Sequence, residues 1–545
     1  MLLKDYIPNV KKELRNIFFS GIAFESSKVK KNNIFFAIKG NNFDGNKYIN
    51  EAIKKGAKAI ISEKKINLKN KILYIKTHNI RKLLAEVSFK IYDKIPKNLI
   101  AITGTNGKSS VADFYYQLLK LNHKKVASIG TLGVKSKNFS LSLSNTTIDP
   151  LKLGQILSKL QKRKIDNVIM EASSHGLKQN RLDGLKFNTG MFTNLSQDHL
   201  DYHKNLKNYL QAKLYLFKNL IKNNGNIITD EIIPEFQKIK KIALNKKLSL
   251  NFLDQKKNNF KILSHNFQGE SQILKIKYDN AIRFVKLNLI GKIQFKNLLM
   301  AIIAAKKSKL KLKKIFESIP KIKPVEGRFQ KIGKIKNGSL VILDYAHTPE
   351  ALKTCLLNLR EQFPFKKISL LFGCGGNRDQ NKRSKMGKIA SDYSDKIYLT
   401  DDNPRFEDPE KIRRDIKKGI LRKNMIQIPN RKNAIKAGIK DLNTGDILLV
   451  AGKGHEKTQD TGDRKVYFSD KKIILESIKV KNFNLTNNFK LNLVKEVSGF
   501  KRKLQFTNLK KAKINSKEVE KDDIFFAIKG KKNDGNKFVQ EVLKR

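Results

Sequence analysis

The stretch Gly104 to Ser109, GTNGKS, has the residue types and the order needed to hold a phosphate. It directly follows the apolar run Asn98 to Thr103 and directly precedes a helical pattern from Ser109 to Leu121. Glycines at such a junction let backbone N–H groups at a helix N-terminus face a phosphate, and the helix dipole favours negative charge there. Lys108 can neutralise a phosphoryl group in transfer, and the Ser109 hydroxyl can ligate magnesium. The run is shorter than the eight-residue phosphate-loop pattern but has its strand-to-helix context, so use of a nucleoside triphosphate is expected. Two other segments offer metal ligands: Glu171 lies near the end of the apolar run NVIMEA, and TNLSQDHLDYH carries His199 and His203. Carboxylate oxygens suit magnesium and imidazoles are better known on zinc, so residue types alone leave the metal open. Taken singly, each histidine is more simply a loop or helix-capping residue.

These residues need a scaffold, and the surrounding pattern supplies one. Asn98–Thr103, Asn167–Ala172, Leu340–Leu343, Ile368–Phe372, Lys396–Thr400 and Asp446–Val450 are short apolar runs ending in Gly, Ser, Asp or Thr, which predicts buried parallel strands. Helical patterns follow several of them, among them Ser109–Leu121 and Pro349–Glu361. Repeated strand–helix units imply doubly wound α/β domains, whose ligands bind at the carboxyl ends of the strands. At 545 residues, roughly three or four domains are expected. Boundaries are expected near Tyr92–Lys97, near Ile319–Pro324, and at the polar stretch Lys481–Asn488, read as a linker.

Composition narrows the class. The longest good apolar run, Leu298 to Ala305, falls far short of the roughly 18 to 20 residues a membrane span needs. The N-terminus MLLKDYIPNVKKELRNIFF lacks a continuous apolar segment and a small-residue cleavage site, and Cys355 and Cys374 cannot build a disulfide framework. A cytoplasmic protein is expected, with no membrane insertion. The 113 Lys and Arg against 49 Asp and Glu give a formal charge of +64. Such a surface attracts polyanions, which invites a nucleic-acid-binding ATPase as the rival reading. The basic residues are spread along the whole chain without a concentrated face or tail, as drift in codon usage would produce, so no nucleic-acid partner is expected.

The chain also repeats itself. Ser26–Lys47 and Ser516–Lys537 align at a constant offset of 490, and IFFAIKG is identical at Ile34–Gly40 and Ile524–Gly530. A period this long is a duplicated domain, not a solenoid. The second copy stops where the first continues into GAKAIISEKK, and is read as an incomplete domain with unpaired strands.

Eight ordered motifs resemble those of the Mur ligases: GTNGKSS, NTT at Asn145–Thr147, EASSHGL, TNLSQDHLDYH, DYAHTP at Asp344–Pro349, GCGGNRD at Gly373–Asp379, DNPR at Asp402–Arg405 and AGKGHE at Ala451–Glu456. The resemblance covers about residues 20 to 475. It implies an α/β chain of three domains: a UDP-binding domain at 1–92, a central P-loop parallel-sheet ATPase domain at 93–324, and a Rossmann-like amino-acid-binding domain at 325–485. Residues 486–545 would be a partial N-terminal domain of a second Mur ligase, of the D-alanyl-D-alanine-adding type.

The activity implied is an ATP-dependent amide ligase of peptidoglycan synthesis that joins meso-diaminopimelate to the D-glutamyl carboxylate of UDP-N-acetylmuramoyl-L-alanyl-D-glutamate through an acyl phosphate. ATP and Mg2+ are the implied cofactors, and a monomer the working expectation. The resemblance assigns ATP to Gly104, Thr105, Asn106, Gly107, Lys108, Ser109, Ser110, Asn297, Arg328, Asp344, Tyr345 and His347. It implies a catalytic set of Lys108, Glu171, His199 and Lys213. Ser109 and Glu171 would serve one magnesium and His199 a second, with Lys213 as a carbamylated lysine, since carbamylation turns an ammonium into an anionic oxygen ligand.

The uridine-linked substrate falls to Phe24, Ser26, Asn41, Asn42, Phe43, Asn145, Thr146, Thr147, Ser173, Gln179 and Arg181. Diaminopimelate falls to Arg378, Asp402, Asn403, Pro404, Arg405, Gly452 and Glu456. Its distal carboxylate is what lysine lacks, and a buried Arg405 would read it bidentately; lysine-adding relatives lack this Arg. Two motifs depart from the family: the usual D-S-R reads Glu25, Ser26, Ser27, and the usual G-x-F-N-x-x-N reads GKIQFKN at Gly291–Asn297. A lysine-adding or other Mur-type ligase is the alternative within the family, and an inactive structural partner the third reading.

Overall fold

A computed structural model describes residues 1–545 except 9, 11, 41, 42, 65–71, 254–259, 279, 422, 423, 488–510, 522, 531, 532 and 545. The chain forms two compact units, Met1–Val325 and Glu326–Arg545.

The first unit opens with a four-stranded parallel sheet in the order Gly21–Ala23, Asn33–Phe36, Ala59–Ser62, Leu73–Lys76. Its middle pair aligns Ile34 with Ala59 and Phe36 with Ile61. Helix Ile80–Ile91 covers one face, placing Ile80, Leu83, Leu84 and Val87 against Ile34, Phe36 and Ile61. An eight-stranded sheet follows, in the order Ser249–Phe252, Ile221–Thr229, Phe187–Phe192, Asn98–Thr103, Asn167–Glu171, Val126–Gly130, Gly133–Ser136, Phe139–Leu141. The first six strands are parallel and the last two return as antiparallel neighbours.

Side chains of a strand alternate between faces, and Asn98–Thr103 uses both. Ile100 and Ile102 pack with Val111, Phe114, Tyr115 and Leu118 of helix Lys108–Leu121. Leu99 and Ala101 join Leu153, Ile156, Leu157 and Leu160 of helix Pro150–Lys162 on the other side. Burial on both faces is why the strand reads as an unbroken apolar run. Helix Lys292–Lys307 carries Leu298–Ala305 into the first of these clusters, so the longest apolar run is core. An antiparallel sheet of Phe260–Gln268, Ser271–Tyr278 and Ala281–Leu287 packs Leu274, Ile276 and Leu287 into the same cluster.

The second unit is built on a six-stranded sheet in the order Gln330–Lys331, Leu340–Leu343, Ile447–Val450, Ile368–Phe372, Lys396–Leu399, Met425–Gln427, parallel except at its first strand. A small hairpin of Thr458–Asp460 and Lys465–Tyr467 stands beside it. Helix Asp470–Asn487 runs through the stretch from Lys481 that the sequence marks as a linker. Ile473, Ile474 and Ile478 of this helix meet the core and Leu485 packs against it, so the helix stays docked within the KNFNLTN stretch; Asn488 lies outside the described residues.

The second copy of the repeat reproduces the first locally. Lys513 pairs with Phe525 as Ala23 pairs with Phe35. Short 3-10 turns recur at Ser516–Glu518 and Ser26–Lys28, and at Gly535–Phe538 and Gly45–Tyr48. The Asp44 carboxylate accepts from the Asn46 backbone N at 3.0 Å, and Asp534 from that of Asn536 at 3.0 Å. Among the described residues no helix is long and apolar enough to cross a membrane.

Candidate active site

In both units most of the residues singled out above follow the carboxyl ends of parallel strands. Strand Asn98–Thr103 leads into the loop Gly104–Gly107, and Gly107 caps helix Lys108–Leu121 at φ 87°. That left-handed conformation favours glycine, and a Cβ there would lie 2.7 Å from Asn297 Oδ1. Asn297 therefore borders the loop. Gln294, one of the departures from the family motif, accepts from Asn297 Nδ2 at 3.3 Å and so supports that asparagine.

The segment after strand Phe187–Phe192 clamps the loop from the side. Asn106 N donates to Asn194 Oδ1 at 2.9 Å, Thr193 Oγ1 donates to Asn106 O at 2.6 Å, and Ser196 N donates to Thr105 Oγ1 at 3.0 Å. Lys108 Nζ donates to Gly104 O at 2.9 Å and Thr105 O at 2.7 Å. Ser110 is buried on the same helix.

Glu171 ends its strand beside Ser109, whose hydroxyl donates to Oε2 at 3.1 Å. Thr131 was not singled out in the sequence, yet it holds both carboxylate oxygens: its N donates to Oε1 at 2.9 Å and its hydroxyl to Oε2 at 3.1 Å. The signal was its place in Gly130-Thr131 after another parallel strand. Thr131 and Thr146 hydroxyls are 2.9 Å apart, while Thr147 Oγ1 donates to Glu171 O at 2.9 Å. Arg181 donates to Thr147 O, and its Nη2 reaches Gln179 Oε1 at 2.7 Å. Ser173 caps the short helix Ser174–Lys178 by accepting from Gly176 N. Glu171, Thr146, Thr147, Ser173, Gln179 and Arg181 thus form one connected neighbourhood, with Asn145 exposed at its edge.

Lys213 is almost wholly buried at 1% exposure, contrary to an ordinary helix lysine. Its Nζ donates to Gly104 O at 2.6 Å and lies 4.2 Å from the Tyr209 ring centre. Burial first, then the Lys108 ammonium, pushes the Lys213 ammonium well below the usual lysine range. A neutral amine beside the phosphate loop is what carbamylation requires. His199, at φ 53°, places its Nε2 3.3 Å from Asp198 Oδ2, and its ring also borders Tyr209.

Oxygen donors of the kind magnesium prefers, Ser109 and Glu171, are therefore adjacent at the phosphate loop. Among the described residues no group of three or more His, Cys, Asp or Glu could hold a metal ion. Magnesium takes one or two carboxylates and completes its shell with phosphate oxygens and water.

His203 is buried in the short helix Leu200–His203, with Nε2 3.0 Å from Ser174 Oγ. Burial, aided by His175 and Lys213, holds its pKa down to about 4 from 6.5. Between those values the unfolded chain binds a proton that the folded chain excludes, so stability falls as pH drops through that window. From about pH 7 to about pH 4 the protein should lose more stability than a His203→Gln variant. Urea unfolding of both proteins at the two pH values measures this; parallel losses would show that His203 is not the cause.

Of the residues expected to take the uridine-linked substrate, Phe24 and Ser26 follow strand Gly21–Ala23 and Phe43 follows strand Asn33–Phe36. Ser26 Oγ donates to Glu51 Oε2 at 2.9 Å, Phe24 packs against the core, and Phe43 is 72% exposed. Asn41 and Asn42 lie outside the described residues.

In the second unit, Asp344 follows strand Leu340–Leu343 and accepts from Phe329 N at 2.6 Å and Ala346 N at 2.7 Å. Its burial raises its pKa against the pull of Arg328. The Arg328 guanidinium stacks 4.2 Å from the Tyr345 ring centre, and His347 Nδ1 meets Tyr345 O at 2.9 Å. Strand Lys396–Leu399 leads to Asp402, Asn403, Pro404 and Arg405, and strand Ile447–Val450 leads to Gly452 and Glu456. Gly452 has φ 113°, and a Cβ there would meet Asp402 Oδ2 at 2.6 Å.

Asn403 Nδ2 donates to Glu456 Oε2 at 3.0 Å, and Tyr345 OH donates to Oε1 at 3.2 Å. Burial works to raise the Glu456 pKa, but Lys453 and Asn403 outweigh it and hold the carboxylate below its usual range. Lys453, inside the quoted AGKGHE but not itself singled out, is the largest omission here. Arg405 departs from the buried reader expected: its side chain is 24% exposed, with Nη1 donating to Gly376 O at 2.6 Å and Nε 3.7 Å from Asp460 Oδ2. Its φ of 52° brings its own N onto Asp460 O at 3.0 Å, so the hairpin strand beside it fixes the loop. Arg378 is exposed on the glycine-rich loop.

Three family models match the chain in order: Mur ligase family, catalytic domain, over residues 19–97; Mur ligase middle domain over 102–305; and Mur ligase, glutamate ligase domain, over 327–454. A UDP-N-acetylmuramoyl-L-alanyl-D-glutamate–2,6-diaminopimelate ligase of Rickettsia typhi is 40% identical over 483 residues, spanning 86% of this chain and 94% of the relative. A solved structure of a ligase with that same name is 29% identical, with a TM-score of 0.63 over 88% of this chain and 99% of its own. The MurF ligase from Thermotoga maritima in complex with ADP is 19% identical, with a TM-score of 0.57 over 85% and 98%, and shares the fold.

Proposed function

The chain belongs to the Mur ligase family, and from that premise we propose that it uses ATP to join meso-diaminopimelate to the D-glutamyl carboxylate of UDP-N-acetylmuramoyl-L-alanyl-D-glutamate. The observation that carries this reading is the meeting of Lys108 and Lys213 on the carbonyl of Gly104, in the phosphate loop whose Ser109 contacts Glu171. Residues 1–92 are assigned to the uridine nucleotide, 93–324 to ATP, and 325–485 to the amino acid, with 486–545 a further partial copy of the first.

A carboxylate is a poor electrophile until one oxygen becomes a leaving group. The D-glutamyl carboxylate attacks the γ-phosphorus of ATP, the bond to the β-phosphate oxygen breaks, and ADP leaves. The amine of the diamino acid then attacks the acyl carbon and expels phosphate, losing a proton. Backbone N–H groups at the start of helix Lys108–Leu121 hold the phosphates, and Lys108 exchanges its loop carbonyls for phosphoryl oxygens. Arg181 offers its guanidinium to the anionic muramoyl dipeptide. Mg2+, held by Ser109 and Glu171 with His199 and carbamylated Lys213 serving a second ion, would neutralise charge on the phosphates. In the second unit Glu456 accepts from an ammonium and Arg405 donates to the distal carboxylate.

The test is phosphate release and tripeptide formation from ATP, magnesium and the uridine-linked dipeptide, with meso-diaminopimelate or L-lysine in parallel. Turnover with diaminopimelate alone is expected. Equal turnover with lysine would overturn the choice of amino acid, and silence of the folded protein with both would overturn the ligase reading.

A further inference from the structure

We propose that Lys453 is a positioning residue for the diamino acid, orienting the Asn403 amide and the Glu456 carboxylate without touching the substrate; this rests on the assignment of those two residues above. Lys453 has 0% exposure, so it is closed to a ligand. An ammonium has three protons, and its Nζ reaches three oxygens: Asn403 Oδ1 at 2.9 Å, Glu456 Oε2 at 3.1 Å and Thr458 O at 2.7 Å.

The three acceptors come from the loop after strand Lys396–Leu399, the turn after strand Ile447–Val450, and the hairpin. One buried cation therefore fixes three segments against each other. The first bond also settles which way Asn403 faces. Its oxygen takes Lys453 and the Asp460 N at 3.0 Å, so its NH2 must point at Glu456 Oε2. Glu456 is then gripped at both oxygens by Asn403, Lys453 and Tyr345, yet its side chain keeps 29% exposure, leaving it open to an incoming ammonium.

The turn is anchored at its base as well. Arg431 and Asp470, both fully buried, pair at 2.9 and 2.7 Å, and Arg431 Nη2 donates to Ala451 O at 2.9 Å. Removing one partner of a buried ion pair costs stability by leaving the other charge uncompensated, but Glu456 is 29% exposed and keeps Asn403 and Tyr345, so water can reach it without Lys453. A role in orienting the two polar groups is therefore separable from one in folding.

The experiment is steady-state kinetics of full-length Lys453→Met and Lys453→Arg, varying each of the three substrates in turn and recording thermal unfolding. The Met variant should fold, with the KM for diaminopimelate raised about tenfold or more and the KM for the uridine-linked substrate within about twofold. The Arg variant, whose planar fork cannot make three convergent bonds, should shift the same way by less. An unchanged KM for diaminopimelate, an equal rise for all substrates, or loss of the fold in both variants overturns the proposal. Absence of diaminopimelate-dependent turnover in the unsubstituted protein overturns the functional reading instead, and is seen before any variant is made.

Discussion

Lys213→Ala is expected to lower kcat by about 10²- to 10³-fold, the range for removing one preorganised charge-stabilising group, while the protein stays folded. The cause lies in the position of the amine. Unmodified, it is buried beside Lys108, and both side-chain nitrogens meet on the Gly104 carbonyl, which favours the neutral amine at Lys213. On the proposed carbamylation, the neutral amine would attack carbon dioxide and release a proton, and the resulting carbamate would be attracted to the Lys108 ammonium. Intact-mass measurement in bicarbonate should show one carbamate on the parent protein and none on the variant. Removing dissolved carbon dioxide should lower activity reversibly, and acetate should partly restore the variant by supplying the lost carboxylate oxygens. An unmodified parent with an undiminished variant would end this account.

Arg405→Ala should reduce kcat/KM for diaminopimelate by about 2–3 kcal/mol, roughly 30- to 150-fold, the lower part of the range for one partner of a desolvated charge pair. The lower part applies because Arg405 is half-buried and already spends one N–H on Gly376 O. The slow residual turnover at high concentrations of lysine, which has no distal carboxylate to lose, should change by less than about threefold. Competition assays with both amino acids measure the ratio directly. A proportional fall with both substrates would assign Arg405 to loop structure alone.

The six strands expected from the sequence were legible to within a residue because each is almost wholly buried and reads as a continuous apolar run. Asn98–Thr103 and Ile368–Phe372 match their predicted bounds, and Lys396–Thr400 ends one residue earlier. The phosphate loop was legible because its spacing is local. The burial of Lys213 was not, since the sequence around it, YLQAKLYLF, has apolar residues on every side of the helix and points to no preferred face. Thr131 and Lys453 escaped because their partners lie 40 and 50 residues away in Glu171 and Asn403. Hairpin Thr458–Asp460 with Lys465–Tyr467 carries no apolar alternation to announce it. The polar end of helix Asp470–Asn487 reads as a linker because polar contacts share its docking with Leu485: Lys481 Nζ donates to Leu442 O at 2.7 Å and Asn482 Nδ2 to Lys334 O at 2.9 Å.

The repeated strand has a consequence for how the chain reaches its native state. Ala59–Ser62 pairs with Asn33–Phe36, yet Ile524–Phe526 offers it the same three residues in the same order. On a ribosome the question hardly arises: the earlier segment emerges 490 residues ahead, roughly half a minute to a minute and a half at about 5–20 residues per second, and is paired before its rival exists. Dilution from denaturant presents both at once, and two equivalent suitors for one edge are a local source of frustration. Vectorial synthesis thus supplies, through order in time, a discrimination that the residues themselves do not encode.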